Sequence, residues 1–149
     1  MASTDVLVQS AEESSEKMIR AVQMGRLWTR QDLIDAQLDD DDISPVYHDK
    51  VQRRHRPEPE DVAGCTLAAR YYYSLWDKLV IEDGVLYYHH ESADAKTVTP
   101  RLVLPYKYRD VIMQHLHDAK CAGHMGGRRT KLSIQARYHW YKMGRLTRY

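Results

Sequence analysis

The stretch Leu79-Val80-Ile81-Glu82-Asp83-Gly84-Val85-Leu86-Tyr87-Tyr88 consists of two short runs of β-prone residues on either side of Asp-Gly. Aspartate and glycine tolerate the positive φ of a tight turn, so this pattern predicts a β-hairpin. A third run, Arg101-Leu102-Val103-Leu104, follows a polar segment at 91–99 and ends at Pro105. We therefore expect three antiparallel strands, the smallest sheet that is stable when other elements cover one face.

Helical periodicity upstream of the hairpin supplies part of that cover. Apolar residues recur at helical spacing from Leu67 to Trp76, and again from Ile43 to Val51. An earlier helix is expected to begin at Thr29, with Asp32 in its first turn. The predicted fold class is α+β: N-terminal helices, a small three-stranded antiparallel sheet with a hairpin, and a helical unit after the sheet.

Two helices are predicted after the sheet. Apolar residues four positions apart indicate a helix at about 107–118. The glycines at 123, 126 and 127 then predict a loop, after which Thr130 is expected to cap a second helix. Leu132 and Ala136 are expected to face the interior. A helical pair with so little apolar material needs additional stabilisation to fold.

Charge is distributed unevenly along the 149 residues, although 22 Lys and Arg nearly cancel 21 Asp and Glu. Residues 1–64 carry a net charge of −6 and residues 65–149 a net charge of +7. Beyond Asp118 there are eight basic residues and no acidic one. This asymmetry favours a polyanionic partner at the basic end, the alternative being a solvated basic face on an ordinary domain.

Composition also divides the chain into three predicted segments. Residues 1–28 are interpreted as a flexible or helical extension, 29–64 as an acidic helical connector, and 65–149 as the domain that contains the sheet and the last helices. The four carboxylates Asp39–Asp42 lack the alternating spacing and the glycine of a calcium loop, so a solvated turn is expected there. The proline-rich and charged stretch at 53–61 is predicted to be a linker.

The sequence favours an intracellular, soluble protein without membrane contact. It has no apolar run approaching the roughly 18–20 residues that span a bilayer, and its first residues lack the pattern of a signal peptide. Cys65 and Cys121 are too few for a disulfide scaffold, so free thiols are expected. His115-Leu116-His117-Asp118 lacks the spacing of a metal-dependent hydrolase, and no other catalytic motif is present, so no catalytic residue and no small-molecule substrate are expected.

His117 and His124 are the candidates for metal ligands. The first lies at the end of a predicted helix and the second in the glycine-rich segment after it. A reversal of the chain between them would bring both imidazoles onto one metal ion. On spacing alone, ordinary surface or capping histidines remain the simpler interpretation.

Short motifs follow one another in a definite order through the second half of the chain. They are Leu75-Trp76, Glu82-Asp83-Gly84-Val85-Leu86-Tyr87, Arg101-Leu102-Val103-Leu104-Pro105, Leu116-His117-Asp118, Ala122-Gly123-His124-Met125-Gly126 and Tyr138-His139-Trp140. In order and spacing this series resembles the N-terminal zinc-binding region of retrotransposon integrases, above all those of the Ty3/Gypsy type. Residues 37–46 and 56–63 extend the resemblance upstream, so that it covers about residues 29–149.

The resemblance implies a structural zinc site. In that family two histidines and a following Cys-x-x-Cys hold one zinc ion, which implies His117 and His124 as the first two ligands. Cys121 is a third candidate, although the family does not use this position. The family's cysteine pair would fall shortly beyond Tyr149, so zinc is expected to be bound weakly or not at all because two ligands are missing. Trp140 and Met143 are expected to pack beside the site.

The resemblance also implies a role. The chain would be a non-catalytic, zinc-binding-like module of a retrotransposon polyprotein that contributes to nucleic-acid binding and integrase assembly in DNA integration. If this role is retained, the protein would act in the nucleus. Its partners would be DNA and other integrase subunits or further copies of itself, and the catalytic carboxylates would lie in a separate core. Contacts to DNA phosphates are expected from the basic residues Arg128, Arg129, Lys131, Arg137, Lys142, Arg145 and Arg148.

The alternative is a domesticated or decayed retroelement remnant that acts as a protein-interaction module. Its contact surface would use aromatic residues such as Tyr71-Tyr72-Tyr73 and the tyrosines of the hairpin. Packing of these residues in the core is the simpler explanation for most of them.

Overall fold

A computed structural model of the chain describes residues 27–52 and 55–144. Within the second range, only the backbone of His124 and Met125 is described. The predicted extension at 1–28 therefore lies almost wholly outside the described residues, as do Arg145 and Arg148. The elements in chain order are α1 (Arg30–Asp39), α2 (Ser44–Gln52), α3 (Pro59–Val62), α4 (Leu67–Ser74), a 3₁₀ turn (Trp76–Lys78), β1 (Leu79–Glu82), β2 (Val85–Glu91), β3 (Val98–Val103), α5 (Tyr106–Ala122), α6 (His124–Arg137) and β4 (Tyr138–His139). Among the helices of these residues, none combines the length and apolar character that crossing a bilayer requires.

The predicted hairpin and antiparallel sheet are confirmed. Asp83 and Gly84 form the turn with φ values of 50° and 82°, and Glu82 pairs with Val85. Strand β2 pairs antiparallel with both β1 and β3. The prediction of three strands missed β4, whose two residues pair parallel with the end of β3 and complete a sheet in the order β1-β2-β3-β4. The fold is α+β, as expected.

Both faces of the sheet are buried, each by a different set of helices. Successive side chains of a strand point to opposite faces, so neighbouring residues enter different cores. One face packs against α5 and α6 through Val85, Leu102, Leu104, Ile112, Leu116 and Ile134. The other face packs against α2 and α4 through Leu79, Leu86, Val103, Val46, Tyr72 and Trp76.

A buried polar side chain attaches helix α1 to the sheet, in addition to the packing of Leu33 with Val85 and Leu102 in the core. The predicted start at Thr29 is confirmed, because the Thr29 hydroxyl accepts from the backbone N–H of Asp32 and the Asp32 carboxylate accepts from that of Thr29. Further along, the fully buried Gln37 donates from Nε2 to the carbonyls of Leu86 (3.0 Å) and Val103 (2.9 Å). Its Oε1 accepts from the N–H of Leu86 at 2.8 Å. The predicted boundary between a connector and a domain at residue 64 stays a prediction.

The acidic run is only partly a solvated turn. Asp39 and Asp41 are exposed, but Asp40 is buried, which the prediction did not anticipate. The Asp40 carboxylate accepts from the backbone N–H groups of Asp42 (2.9 Å), Ile43 (3.1 Å) and Tyr106 (2.8 Å). It therefore holds the turn before α2 and the N-terminus of α5, where a negative charge is favourable.

The predicted glycine loop after α5 is wrong. Only Gly123 separates the two helices, whereas Gly126 and Gly127 lie within α6, and Thr130 is in its middle rather than at its cap. A Cβ at Gly127 would lie 2.7 Å from Cγ and 3.1 Å from Cα of Lys120, so the glycine allows a close helix crossing. The predicted inward residues Leu132 and Ala136 are exposed, and Ile134 is buried instead.

Candidate functional site

The helical pair α5 and α6 forms the scaffold of the candidate metal site. Ile112 and Leu116 of α5 and Ile134 of α6 are almost completely buried and hold the pair against the sheet. Trp140 and Met143, each 6% exposed, join the same core. The candidate ligands lie on the part of α5 that follows Leu116 and at the start of α6.

His117 and Cys121 lie one helical turn apart on α5 and are both exposed. The Cys121 Sγ is 3.9 Å from Nε2 and 4.0 Å from Nδ1 of His117. A nitrogen and a sulfur that share a tetrahedral zinc ion lie about 3.6 Å apart, given ordinary Zn–N and Zn–S bond lengths. The two side chains are therefore close to the separation at which they would chelate one ion. Asp118 contacts His117 on the same turn, with Oδ1 3.7 Å from Nδ1.

These two donors are half of the set that a closed zinc site needs. The backbone of His124 begins α6 two residues after the end of α5, so the third candidate lies close in the chain. Among the side chains that the structure describes, no three histidine, cysteine or carboxylate groups come together as a metal cluster. The described donors thus fit zinc in chemical type and in spacing, but not in number.

The five predicted DNA-binding residues that the structure describes do not form a single patch. Arg128 and Arg129 are exposed on α6, and at about 100° per residue both lie on the side of the helix away from the buried Ile134. Arg137 is exposed but lies about half a turn around the helix from Arg128. Lys131 is half-buried, and Lys142 is exposed after β4. The exposed cationic surface of α6 is therefore centred on Arg128 and Arg129, with the exposed Leu132 beside them.

Sequence reasoning missed a second group of polar side chains, which lies on the sheet. His90 on β2, Arg101 on β3 and His139 on β4 share one face. Burial, followed by the charges of Arg101 and His90, lowers the pKa of His139 to about 4. Burial, followed by Arg101 and Lys78, also lowers the pKa of His90. No spacing rule connects these three residues, because strand pairing alone brings them together.

Comparison with known protein families gives a match over the helical pair. Residues 104–148 match the model of the family described as integrase zinc binding domain. The match begins just before α5 and contains His117, Cys121, His124 and the basic residues of α6. The resemblance to an integrase zinc-binding region is thereby confirmed, and the family implies zinc binding. No curated protein and no solved structure matches the chain.

Proposed function

We propose, from the integrase zinc binding domain that residues 104–148 match, that this chain is the N-terminal zinc-binding module of a Ty3/Gypsy-type retrotransposon integrase. In this role it is non-catalytic, acts in DNA integration, and contributes DNA contacts and contacts to other integrase subunits. The motif at 82–87, which lies outside the family match, and the motif at 101–105, which begins before it, support the Ty3/Gypsy type. The observation that carries the proposal is that the match coincides with the helical pair that displays both His117 and the exposed arginines.

DNA binding is proposed to occur through the exposed surface of α6. Arg128 and Arg129 project from the same side of the helix, and no acidic residue occurs in the sequence after Asp118. Guanidinium groups bind phosphate oxygens in a bidentate manner, so these contacts recognise the DNA backbone rather than its bases. Binding should therefore tolerate changes of sequence and weaken steeply as salt is raised.

A salt series with two matched double variants tests this role. Fluorescence anisotropy with a labelled duplex gives the affinity at each salt concentration. Arg128→Gln/Arg129→Gln should weaken binding and reduce the slope of log K against log salt by about 1.8, if each arginine neutralises one phosphate. Arg30→Gln/Arg70→Gln removes the same charge from exposed positions on α1 and α4, and should leave the slope unchanged. Equal effects of the two variants, or no binding at about 50 mM salt, would contradict the proposed surface.

Zinc is proposed to stabilise the end of the helical pair. When bound, a zinc ion cross-links its ligands and adds its binding free energy to that of folding. His117 supplies an imidazole nitrogen and Cys121 a thiolate from neighbouring turns of α5, and His124 is the candidate ligand on α6. Competition with a colorimetric zinc chelator measures the affinity of the chain. His117→Gln should weaken zinc binding, whereas His48→Gln, which changes a histidine on α2, should not; equal affinity of both variants would refute His117 as a ligand.

Contacts with other integrase subunits form the remaining part of the proposal. Exposed apolar side chains on the helical pair, Tyr106, Val111 and Leu132, are suited to such contacts. A protein-interaction surface built on Tyr72 and Tyr73 is disfavoured, because both side chains are buried in the core. Light scattering coupled to size exclusion should give a mass that rises with concentration. A concentration-independent monomer would contradict self-association, and strand transfer by the purified chain would contradict the non-catalytic role.

A further inference from the structure

A group of aromatic and basic side chains lies on the face of the sheet that packs against α4. It consists of Tyr88 and His90 on β2, Arg101 on β3, His139 on β4 and Tyr71 on α4, and is called the Arg101 cluster below. Tyr88 is the residue directly opposite Arg101 in the strand pairing. The cluster is separate from the candidate zinc ligands and from the exposed arginines of α6.

Aromatic stacking and one hydrogen bond hold the rings of this cluster in place. The His139 ring stacks on Tyr88 with a centroid distance of 4.2 Å and an interplanar angle of 18°. The His139 ring also lies beside Tyr71, with a centroid distance of 5.8 Å. A hydrogen bond of 2.7 Å joins the Tyr71 hydroxyl and Nε2 of His139. The His90 ring lies 6.2 Å from Tyr88. The site is therefore preorganised by side chains from four elements.

Arg101 is the member of the cluster whose bonding is incomplete. Its Nε is buried, yet it has no hydrogen-bond partner within the part of the chain that the structure describes. Burial also removes the guanidinium partly from water, and no carboxylate is among the described groups that act on it, so an external anion would stabilise its charge. A planar guanidinium can bind two oxygens of a phosphate at once through its two terminal Nη groups, a contact that does not require the buried Nε.

The electrostatic surroundings favour an anion. Arg101 acts on both His90 and His139, and Lys78 acts on His90, in each case as a positive charge that opposes protonation of the imidazole. On the opposite face of the sheet the situation differs, because His89 is paired with the Glu82 carboxylate at 3.1 Å. A carboxylate thus accompanies the histidine on one face, whereas cationic groups act on the histidines of the Arg101 cluster.

We propose that the Arg101 cluster is a phosphate-binding site, in which the Arg101 guanidinium contacts two phosphate oxygens and the His90 imidazole donates to a third. The ligand is a phosphate group, carried either by a free phosphate monoester or by the phosphodiester backbone of a nucleic acid. The site goes beyond the proposed contacts of α6, since it uses a different surface and different residues. His139 and Tyr88 act as positioning residues, because their stacking fixes the wall of the site beside Arg101.

The test is a titration of the whole chain followed by NMR of the histidine ring signals at pH 7. The probes are inorganic phosphate, a nucleoside monophosphate and a short oligothymidylate, with sodium chloride at matched ionic strength as control. The signals of His90 and His139 should move saturably with phosphate but not with chloride. Saturation by phosphate and the monophosphate alone assigns a monoester ligand, whereas tighter saturation by the oligonucleotide assigns a nucleic-acid backbone.

Three variants show whether Arg101 carries the binding. Arg101→Gln should weaken phosphate binding about tenfold or more, since it removes a charge-assisted hydrogen bond. Arg101→Lys keeps the positive charge but loses the planar set of N–H donors, so it should bind phosphate with an intermediate affinity. Its thermal unfolding midpoint should equal that of the wild type. Arg30→Gln, which removes an exposed charge on α1 outside both proposed surfaces, should leave phosphate binding unchanged. Absence of saturable shifts in the wild type, equal shifts in chloride, or wild-type affinity of Arg101→Gln would overturn the proposal.

Discussion

Replacement of Gln37 by leucine is expected to be among the most destabilising single changes in this protein. Gln37 is fully buried and makes three hydrogen bonds with strand backbone groups, at 2.8, 2.9 and 3.0 Å. The last backbone pair between β2 and β3 joins Tyr87 and Leu102, and the next residues along, Leu86 and Val103, bond to the Gln37 amide instead. The side chain therefore continues the hydrogen bonding of the sheet at the point where the two strands separate.

The magnitude follows from the groups that the substitution leaves without partners. Leucine is similar in size but cannot replace the amide, so one N–H and two carbonyl groups lose their bonds in the interior. A buried polar group without a partner costs about 1–3 kcal/mol, and carbonyls cost less than N–H groups. The expected loss is about 3–6 kcal/mol of the free energy of unfolding, a large share of the about 5–15 kcal/mol that a domain has.

Urea unfolding followed by circular dichroism measures this loss. The matched control is Gln31→Leu on the same helix, where the exposed side chain bonds to Asp35 at 2.8 Å. That change should alter the free energy of unfolding by less than about 0.5 kcal/mol. A Gln37→Leu variant that is no less stable than Gln31→Leu would refute the reasoning, because it would show that the backbone groups at Leu86 and Val103 do not depend on the amide.

Three further changes probe the acid response, the hairpin turn and the helix crossing. His139 has a pKa of about 4 in the fold against 6.5 in the unfolded chain, so the unfolded chain binds a proton more readily as the pH falls. The free energy of unfolding should therefore be unaffected by His139 above pH 6.5 and should fall by up to about 3 kcal/mol as the pH approaches 4. His139→Gln should flatten this pH dependence in urea titrations. Gly84→Ala, at φ +82° and with its Cβ 2.9 Å from the Ile34 Cδ1, should cost about 1–2 kcal/mol in the same assay, and an unchanged urea midpoint would contradict the strained turn. Gly127→Ala should lower the thermal midpoint through contact with Lys120, whereas Gly64→Ala, which meets no atom within 4 Å, should lower it less; equal shifts would argue against the close crossing.

Local features of this fold could be predicted because their determinants lie within a few residues. The Asp83-Gly84 turn requires only that both residues adopt positive φ, and the Thr29 capping box links residues three positions apart. The placement of His117 on α5 followed from periodicity, and its resemblance to an integrase ligand followed from the motifs around it. The glycines of α6 were misread because a glycine required by a close helix crossing has the same local sequence signal as one in a loop.

The sequence by itself thus determined the hairpin, the main helices, the charge asymmetry and the candidate ligand His117. Only the tertiary structure decided that Gln37 bonds to residues 49 and 66 positions away, and that Asp40 bonds to Tyr106. It also decided that His90, Arg101 and His139 meet on one face of the sheet. The physical reason is range: turns and caps depend on backbone conformation over a few residues, whereas these polar contacts depend on strand register and on the packing of helices from distant parts of the chain.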